Sequence, residues 1–130
     1  MLHAQLSSAA AADRPVILVV DDDEAVLSSL KFALEVEGFR VLVFTSAEDL
    51  LRLAPLPASS CLVTDQRLPG KTGLELIGQL RARDFGFPAI LITTQPTSAL
   101  RRQAAAAKVD IVEKPLLGNA LADAIGRALD

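Results

Sequence analysis

Four acids stand in a row at Asp21-Asp22-Asp23-Glu24, a separate carboxylate, Asp65, closes an apolar run, and Lys114 precedes Pro115 behind another. Carboxylates gathered in one place repel each other and do not all ionise without a counter-charge. A hard divalent cation with oxygen ligands resolves that conflict. Magnesium typically takes one or two carboxylates together with waters and phosphate oxygens. Asp65 is also a candidate nucleophile, because a carboxylate oxygen that attacks phosphorus becomes an acyl phosphate. In such a transfer a metal neutralises the charge on the phosphoryl group and holds its oxygens in line. Lys114 would offer a mobile point charge to one phosphate oxygen, and Thr93 a hydroxyl donor to another. This chemistry requires elements that bring residues far apart in sequence to one edge.

Length and composition narrow the setting. At 130 residues the chain suits one domain, large enough for a real core and too short for two. It is 51% hydrophobic, in short runs, none near the roughly 18 to 20 residues that a membrane span needs. Met1 to Ala12 lacks a basic n-region and a continuous apolar stretch. Residues 1–14 therefore read as an Ala/Ser-rich tail and not a signal peptide, with the folded domain over 15–130. The expectation is a cytoplasmic protein with no membrane partner. Cys61 is the only cysteine, so no intrachain disulfide can form, and its apolar surroundings make it a small buried hydrophobe. The net charge of −3 argues against a general nucleic-acid surface. The only histidine is His3, in the tail. The folded body is thereby excluded from histidine acid–base catalysis, histidine metal ligation and the role of a phosphohistidine carrier.

The positioning elements follow from apolar periodicity and punctuation. Val16 to Val20 is a β-branched run ending abruptly in acids, which predicts a buried strand. Asp23 or a neighbour caps the next helix, on which Leu27, Leu30 and Leu34 share a face, and Gly38 stops it. Arg40 to Phe44 is the second strand. Ser46 with Asp49 resembles a capping box for a short helix reaching about Ala54, closed by Pro55 and Pro57. Ser60 to Thr64 is the third strand, ending at Asp65, and Leu68 to Gly73 is punctuated as a loop. Leu76, Ile77 and Leu80 mark a third helix, and Pro88 introduces a fourth strand, Ala89 to Thr93. Pro96 suits the first turn of a fourth helix running through Ala104 to Ala107. Val109 to Val112 is the fifth strand, and Leu121, Ala124, Ile125 and Ala128 line the last helix.

Strands alternating with helices run parallel, and a parallel sheet needs helices on both faces. The chain is therefore expected to be a doubly wound, three-layer α/β/α fold. Ligands in such folds gather outside the carboxyl ends of the strands. Asp21 and Asp22, Asp65, Thr93 and Lys114 all fall there.

These residues also carry a family resemblance. Val19-Val20-Asp21-Asp22-Asp23-Glu24, Val63 to Gly70 with Gly73, Ile92-Thr93, and Val112-Glu113-Lys114-Pro115 resemble, in order, the motifs of response-regulator receiver domains (CheY-like), most closely the FixJ-like branch. The similarity runs from Pro15 to the C-terminus. It implies a flavodoxin-like five-stranded sheet of order 2-1-3-4-5, Mg²⁺ dependence, and phosphoryl transfer from a histidine kinase or phosphotransfer protein to Asp65. It also implies metal ligation by the Asp22 and Asp65 side chains, more indirectly by Asp21, and by the Arg67 backbone carbonyl. Thr93 and Lys114 would switch toward the phosphate, aimed in the case of Lys114 by a cis peptide to Pro115. The implied partners further include a downstream target or fused output domain, and a second copy through the fourth helix, fifth strand and fifth helix. No direct nucleic-acid contact by this domain is implied.

Two positions depart from the family's pattern. Ile111 stands where receivers usually carry Tyr or Phe as a reporter of phosphorylation. Thr94 follows the switch threonine where Gly or Ala is usual, and is expected to narrow access to the site. One residue fewer than is usual in that branch separates Thr93 from Lys114, which predicts an irregularity in the fourth helix or its loop.

Plainer readings exist for every residue. Asp21 to Asp23 could be a solvated turn with a cap, Asp65 the start of a Pro-Gly turn, Thr93 a packing residue, Lys114 a surface lysine and Arg101-Arg102 a solvated face. Convergence at one sheet edge favours the site. Among functions, the leading expectation is a phosphorylation switch that is not an enzyme beyond its own phosphorylation and dephosphorylation. A degenerate receiver acting by binding alone is the alternative that Ile111 and Thr94 support. A small Mg²⁺-dependent phosphohydrolase with an aspartate nucleophile finds its Asp-x-Asp spacing at Asp21 and Asp23, but Ala25 stands where Thr or Val is required. A flavin module would need a Ser/Thr/Gly-rich phosphate loop where this chain has acids.

Overall fold

The computed structural model describes residues 15–53, 56, 57, 60–83, 85–116 and 118–130. The expected tail 1–14 with His3, and Ala54 and Pro55 at the expected end of the second helix, lie outside the described residues.

Strand β1 (Val16–Val20) is buried along its whole length. Helix α1 (Glu24–Val36) begins at Asp23, whose carboxylate accepts the N–H groups of Ala25 at 2.9 Å and Val26 at 3.3 Å. It ends at Gly38, where φ is +96°. Gly38 N–H donates to the Glu35 carbonyl and Phe39 N–H to that of Leu34, the paired closure of a Schellman motif. Strand β2 (Arg40–Phe44) follows at the sheet edge. Helix α2 (Ala47–Arg52) is capped by the Ser46 hydroxyl, which accepts Asp49 N–H at 3.1 Å. The Asp49 carboxylate does not complete a capping box and instead pairs with Arg52 at 3.0 Å. Next come β3 (Ser60–Asp65), the short strands β4 (Arg67–Leu68) and β5 (Lys71–Thr72), and helix α3 (Gly73–Ala82). Strand β6 (Ala89–Thr93), helix α4 (Ser98–Ala106), strand β7 (Asp110–Glu113) and helix α5 (Ala120–Leu129) complete the chain.

The five long strands are parallel in the order β2-β1-β3-β6-β7. With the small β4–β5 hairpin set aside, this is the expected 2-1-3-4-5 order. Successive side chains leave a strand on opposite faces, and both faces are dry. Ile17, Val19, Cys61, Val63, Ile90 and Ile92 pack under α1 and α5 with Leu27, Leu34, Leu121 and Ile125. Val16, Leu18, Val20, Leu62 and Leu91 pack under α2, α3 and α4 with Leu50, Leu76, Ile77, Leu80 and Ala104. This double coverage is why the strands read as unbroken apolar runs.

Four local expectations are corrected. The Leu68–Gly73 loop contains the antiparallel β4–β5 hairpin, because Pro69 and Gly70 (φ +83°) form a tight turn of type II pattern and Gly73 already opens α3. Pro96 lies before α4, not in its first turn, since the Thr97 hydroxyl takes the cap by accepting Leu100 N–H at 3.0 Å. Ala107 caps α4 and is not its last turn. Strand β7 starts at Asp110, because Val109 N–H is spent on the Ala104 carbonyl at 2.8 Å in closing α4. An irregularity was expected in the fourth helix or its loop. The helix itself is regular, and Gln95 (φ +46°) and Lys108 (φ +57°) take left-handed conformations on either side.

Candidate functional site

The ladder places the site. Asp21 continues β1 by donating its N–H to the Phe44 carbonyl at 3.2 Å, and the Asp65–Ile92 register carries Asp65 beside the end of β6. Lys114 N–H donates to the Thr93 carbonyl at 2.9 Å, which brings the end of β7 level with the end of β6. Asp21, Asp22, Asp65, Thr93 and Lys114 thus meet at one edge, although 93 positions separate the first from the last in sequence.

Asp21 is 2% exposed. Its Oδ1 accepts Asp23 N–H at 2.9 Å, while its buried Oδ2 accepts no hydrogen bond among the described residues. The nearest cation to Oδ2 is the Lys114 ammonium at 3.9 Å. Burial pushes the Asp21 carboxyl above the usual carboxylate range, and the neighbouring charges of Asp65 and Asp22 push the same way. The Asp23 hydrogen bond and Lys114 oppose the rise without cancelling it. Asp65 is 9% exposed; its Oδ1 accepts Arg67 N–H at 3.3 Å and its Oδ2 accepts Lys114 Nζ at 3.2 Å. Asp22 is exposed beside them. Each of Asp21, Asp22 and Asp65 can place a carboxylate oxygen within 4.8 Å of the others. Three acids against one lysine leave negative charge unmet, and an orphaned buried oxygen points to a missing partner. The donor set is all oxygen, which suits a hard divalent cation such as Mg²⁺.

Thr93 is buried and Thr94, next to it, is exposed. The Lys114–Pro115 peptide is cis. Arg67 is exposed, and its backbone sits in β4 directly after the Asp65–Gln66 bend. Ile111 stands apart from the cluster, half-buried against the apolar face under α2, α3 and α4.

A family model described as the response regulator receiver domain matches residues 17–126. The chain belongs to that family. Among curated relatives of this receiver domain, the transcriptional regulatory protein FixJ of Rhizobium meliloti (strain 1021) is 39% identical over 111 residues, covering 85% of this chain and 54% of the relative. The FixJ of Bradyrhizobium diazoefficiens is 35% identical over 114 residues, covering 87% and 56%. The receiver domain spans about half the length of these relatives. Among solved structures, the crystal structure of FixJ-N superposes with a TM-score of 0.80 at 36% identity, covering 88% of this chain and 93% of that one. No helix among the described residues is long and apolar enough to cross a membrane.

Three features beside the acidic cluster were not found by sequence reasoning. Gly73 opens α3 so close to β3 that a Cβ there would sit 2.4 Å from the Asp65 carbonyl oxygen. Thr72 and Glu75 form a full capping box at the start of α3. Their hydrogen bonds hold the Glu75 carboxyl below its ordinary range, and the Thr-x-x-Glu spacing was there to be read. Third, Gln66 bonds both the end of β6, through Ile92, and the start of α3, through Gly73 and Leu74, for which no sequence rule gives a signal. On the outer surface Arg101 of α4 pairs with Glu113 of β7, the residue before Lys114.

Proposed function

We propose that this receiver domain accepts a phosphoryl group on Asp65 from a histidine kinase or phosphotransfer protein and thereby switches a protein-interaction surface. The observation that carries the reading is the pairing of Asp65 with Lys114 at 3.2 Å beside the orphaned Asp21 oxygen. An Asp65 carboxylate oxygen attacks phosphorus, the nitrogen–phosphorus bond of the donor phosphohistidine breaks, and its electron pair returns to the imidazole. The product is an acyl phosphate. Asp21, Asp22 and Asp65 side chains with the Arg67 carbonyl would hold Mg²⁺, which when bound supplies charge neutralisation for the transferring group.

Lys114 loses its carboxylate partner when Asp65 is phosphorylated and turns to a phosphate oxygen. Thr93 donates its hydroxyl to another. Because Lys114 N–H is bonded to the Thr93 carbonyl, the two move as one unit, a local charge change biasing a two-state element. Glu113, the residue before Lys114, pairs with Arg101 of α4. The surface of α4, β7 and α5 is therefore the one that repacks, to meet a downstream target, a fused output domain or a second copy. A cytoplasmic location accords with such a donor. Thr94 at the rim slows access to Asp65.

Intact mass after incubation with acetyl phosphate tests this, with and without Mg²⁺, for wild type and Asp65→Asn. A Mg²⁺-dependent adduct that the variant lacks is the expected result. The half-buried Ile111 favours a second reading, a receiver that binds its partner without phosphorylation. In that case no adduct forms and Asp65→Asn leaves partner binding intact.

A further inference from the structure

Resting on that reading of Asp65, we infer that Gln66 is a positioning residue: it clamps the start of α3 to the end of β3 and so fixes the backbone of Arg67 against the acidic cluster. Three hydrogen bonds make the clamp. Gln66 N–H donates to the Ile92 carbonyl at 2.9 Å, anchoring the bend to β6. The Gln66 carbonyl accepts Gly73 N–H at 2.9 Å. The Gln66 side-chain Oε1 accepts Leu74 N–H at 3.0 Å. Between these two ends lies the Arg67–Thr72 hairpin, whose first N–H is the one that Asp65 Oδ1 accepts at 3.3 Å.

The side chain is specific in what it supplies. The opening N–H groups of a helix have no partner within it. Here Thr72 takes that of Glu75 at 3.1 Å, and Gln66 takes those of Gly73 and Leu74. An apolar residue after the phosphoacceptor would keep the Gly73 bond, which is backbone to backbone, and lose the Leu74 bond. The bend would stay anchored to β6 through Ile92, but α3 would be held to it by the Gly73 bond alone and free to pivot there. The hairpin between them carries the Arg67 amide and carbonyl. Gly73 makes the close approach sterically possible, and Gln66 makes it definite.

The test compares Gln66→Leu, Gln66→Glu and Thr72→Ala with wild type. Thr72→Ala weakens the start of α3 by a different cap without touching Gln66. Mg²⁺ titration followed by amide NMR gives a dissociation constant, amide exchange at Leu74 reports the bond itself, and acetyl phosphate labelling gives the rate. Gln66→Leu is expected to raise the Mg²⁺ Kd and lower the labelling rate by about tenfold each, the scale of one lost hydrogen bond to a partly buried donor, and to expose Leu74 to exchange. Gln66→Glu keeps an acceptor and keeps Leu74 protected. Thr72→Ala lowers Tm and leaves the Mg²⁺ Kd near that of wild type.

A Gln66→Leu Kd equal to that of wild type, or an equal rise in Thr72→Ala, overturns the inference. Should Gln66→Leu not fold, Gln66→Asn, one methylene shorter, serves the same comparison. A wild type that binds Mg²⁺ but takes no phosphoryl group defeats the phosphoacceptor reading while the titration still decides on Gln66. A wild type that binds no Mg²⁺ overturns both.

Discussion

At the carboxyl ends of β1, β3, β6 and β7 the chain places Asp21, Asp22, Asp65, Thr93 and Lys114, and at the amino ends it places Pro15, Ser60, Phe87 and Pro88. The second set builds a groove together with Leu56, Phe85 and Leu129. Polar groups here find partners: the Ser60 hydroxyl donates to the Pro57 carbonyl at 2.6 Å, and Leu62 N–H to that of Pro88 at 2.9 Å. The Phe85 and Phe87 rings meet with centroids 5.9 Å apart. At the carboxyl end, by contrast, Asp21 Oδ2 is buried without a hydrogen bond, among like charges. Burying a polar group unpaired costs free energy that folding alone gives no reason to spend. One end is cohesive, and the other carries an acidic cluster with an unmet acceptor that could hold a metal ion.

Mutation separates the two ends. Phe87→Ala removes a half-buried ring from the amino end and is expected to cost about 2 to 3 kcal/mol, read as a lower midpoint in urea. Labelling of Asp65 by acetyl phosphate should continue at the wild-type rate under conditions where the variant is folded. Asp65→Asn should show the reverse, full loss of labelling with stability unchanged or raised. A Phe87→Ala variant that is stable but unlabelled would break the division between cohesive and reactive ends.

A smaller effect bears on the unmet acceptor itself. The folded-state pKa of Asp21 is raised, so the folded chain holds this proton more readily than the unfolded chain. The group therefore contributes stability below the ordinary carboxylate range, and that contribution is lost as pH rises through its raised pKa. In EDTA at neutral pH, Asp21→Asn should melt above wild type, and the gap should close as pH falls below the ordinary carboxylate range. Adding Mg²⁺ should raise the Tm of wild type more than that of the variant. Equal pH dependence for both proteins would mean that the buried carboxylate carries no strain.

The same contrast explains what could be read from the sequence. Val16–Val20 and Ala89–Thr93 were legible as unbroken apolar runs, and the helix faces of Leu27 with Leu34 and of Leu76 with Leu80 through helical periodicity, because both patterns report burial directly. Asp21, Asp65, Thr93 and Lys114 were legible because each stands where an apolar run ends. The β4–β5 hairpin was not, since its strands are two residues each and leave no periodic trace. Nor was the shift of β7 by one residue, which depends on how Val109 N–H is used. The Gln66 clamp is a contact between a side chain and an amide eight positions on, and no composition rule encodes that. Ile111 was visible as a departure, and its half-buried place against the core shows that it packs where it stands.

The smallest expected effect lies between the two ends, in how the helices stop. Helices α1 and α4 close with the same pair of bonds: Gly38 to Glu35 and Phe39 to Leu34 in one, Lys108 to Ala105 and Val109 to Ala104 in the other. Both closures need a left-handed residue, at φ +96° and +57°. Glycine takes that conformation without a steric penalty, and lysine brings a Cβ into conflict with the following carbonyl, at about 1 kcal/mol. Lys108→Gly should therefore stabilise the fold, offset in part by the greater freedom of glycine in the unfolded chain. The net gain would read as a Tm higher by a few degrees. Lys108 is exposed and α4 leads into the Asp110 strand, so a change confined to stability would leave the labelling rate of Asp65 as it was. A labelling rate that moved with Lys108→Gly would instead mean that the turn after α4 is strained as part of the switch, and that the cohesive and reactive parts of this domain share a residue.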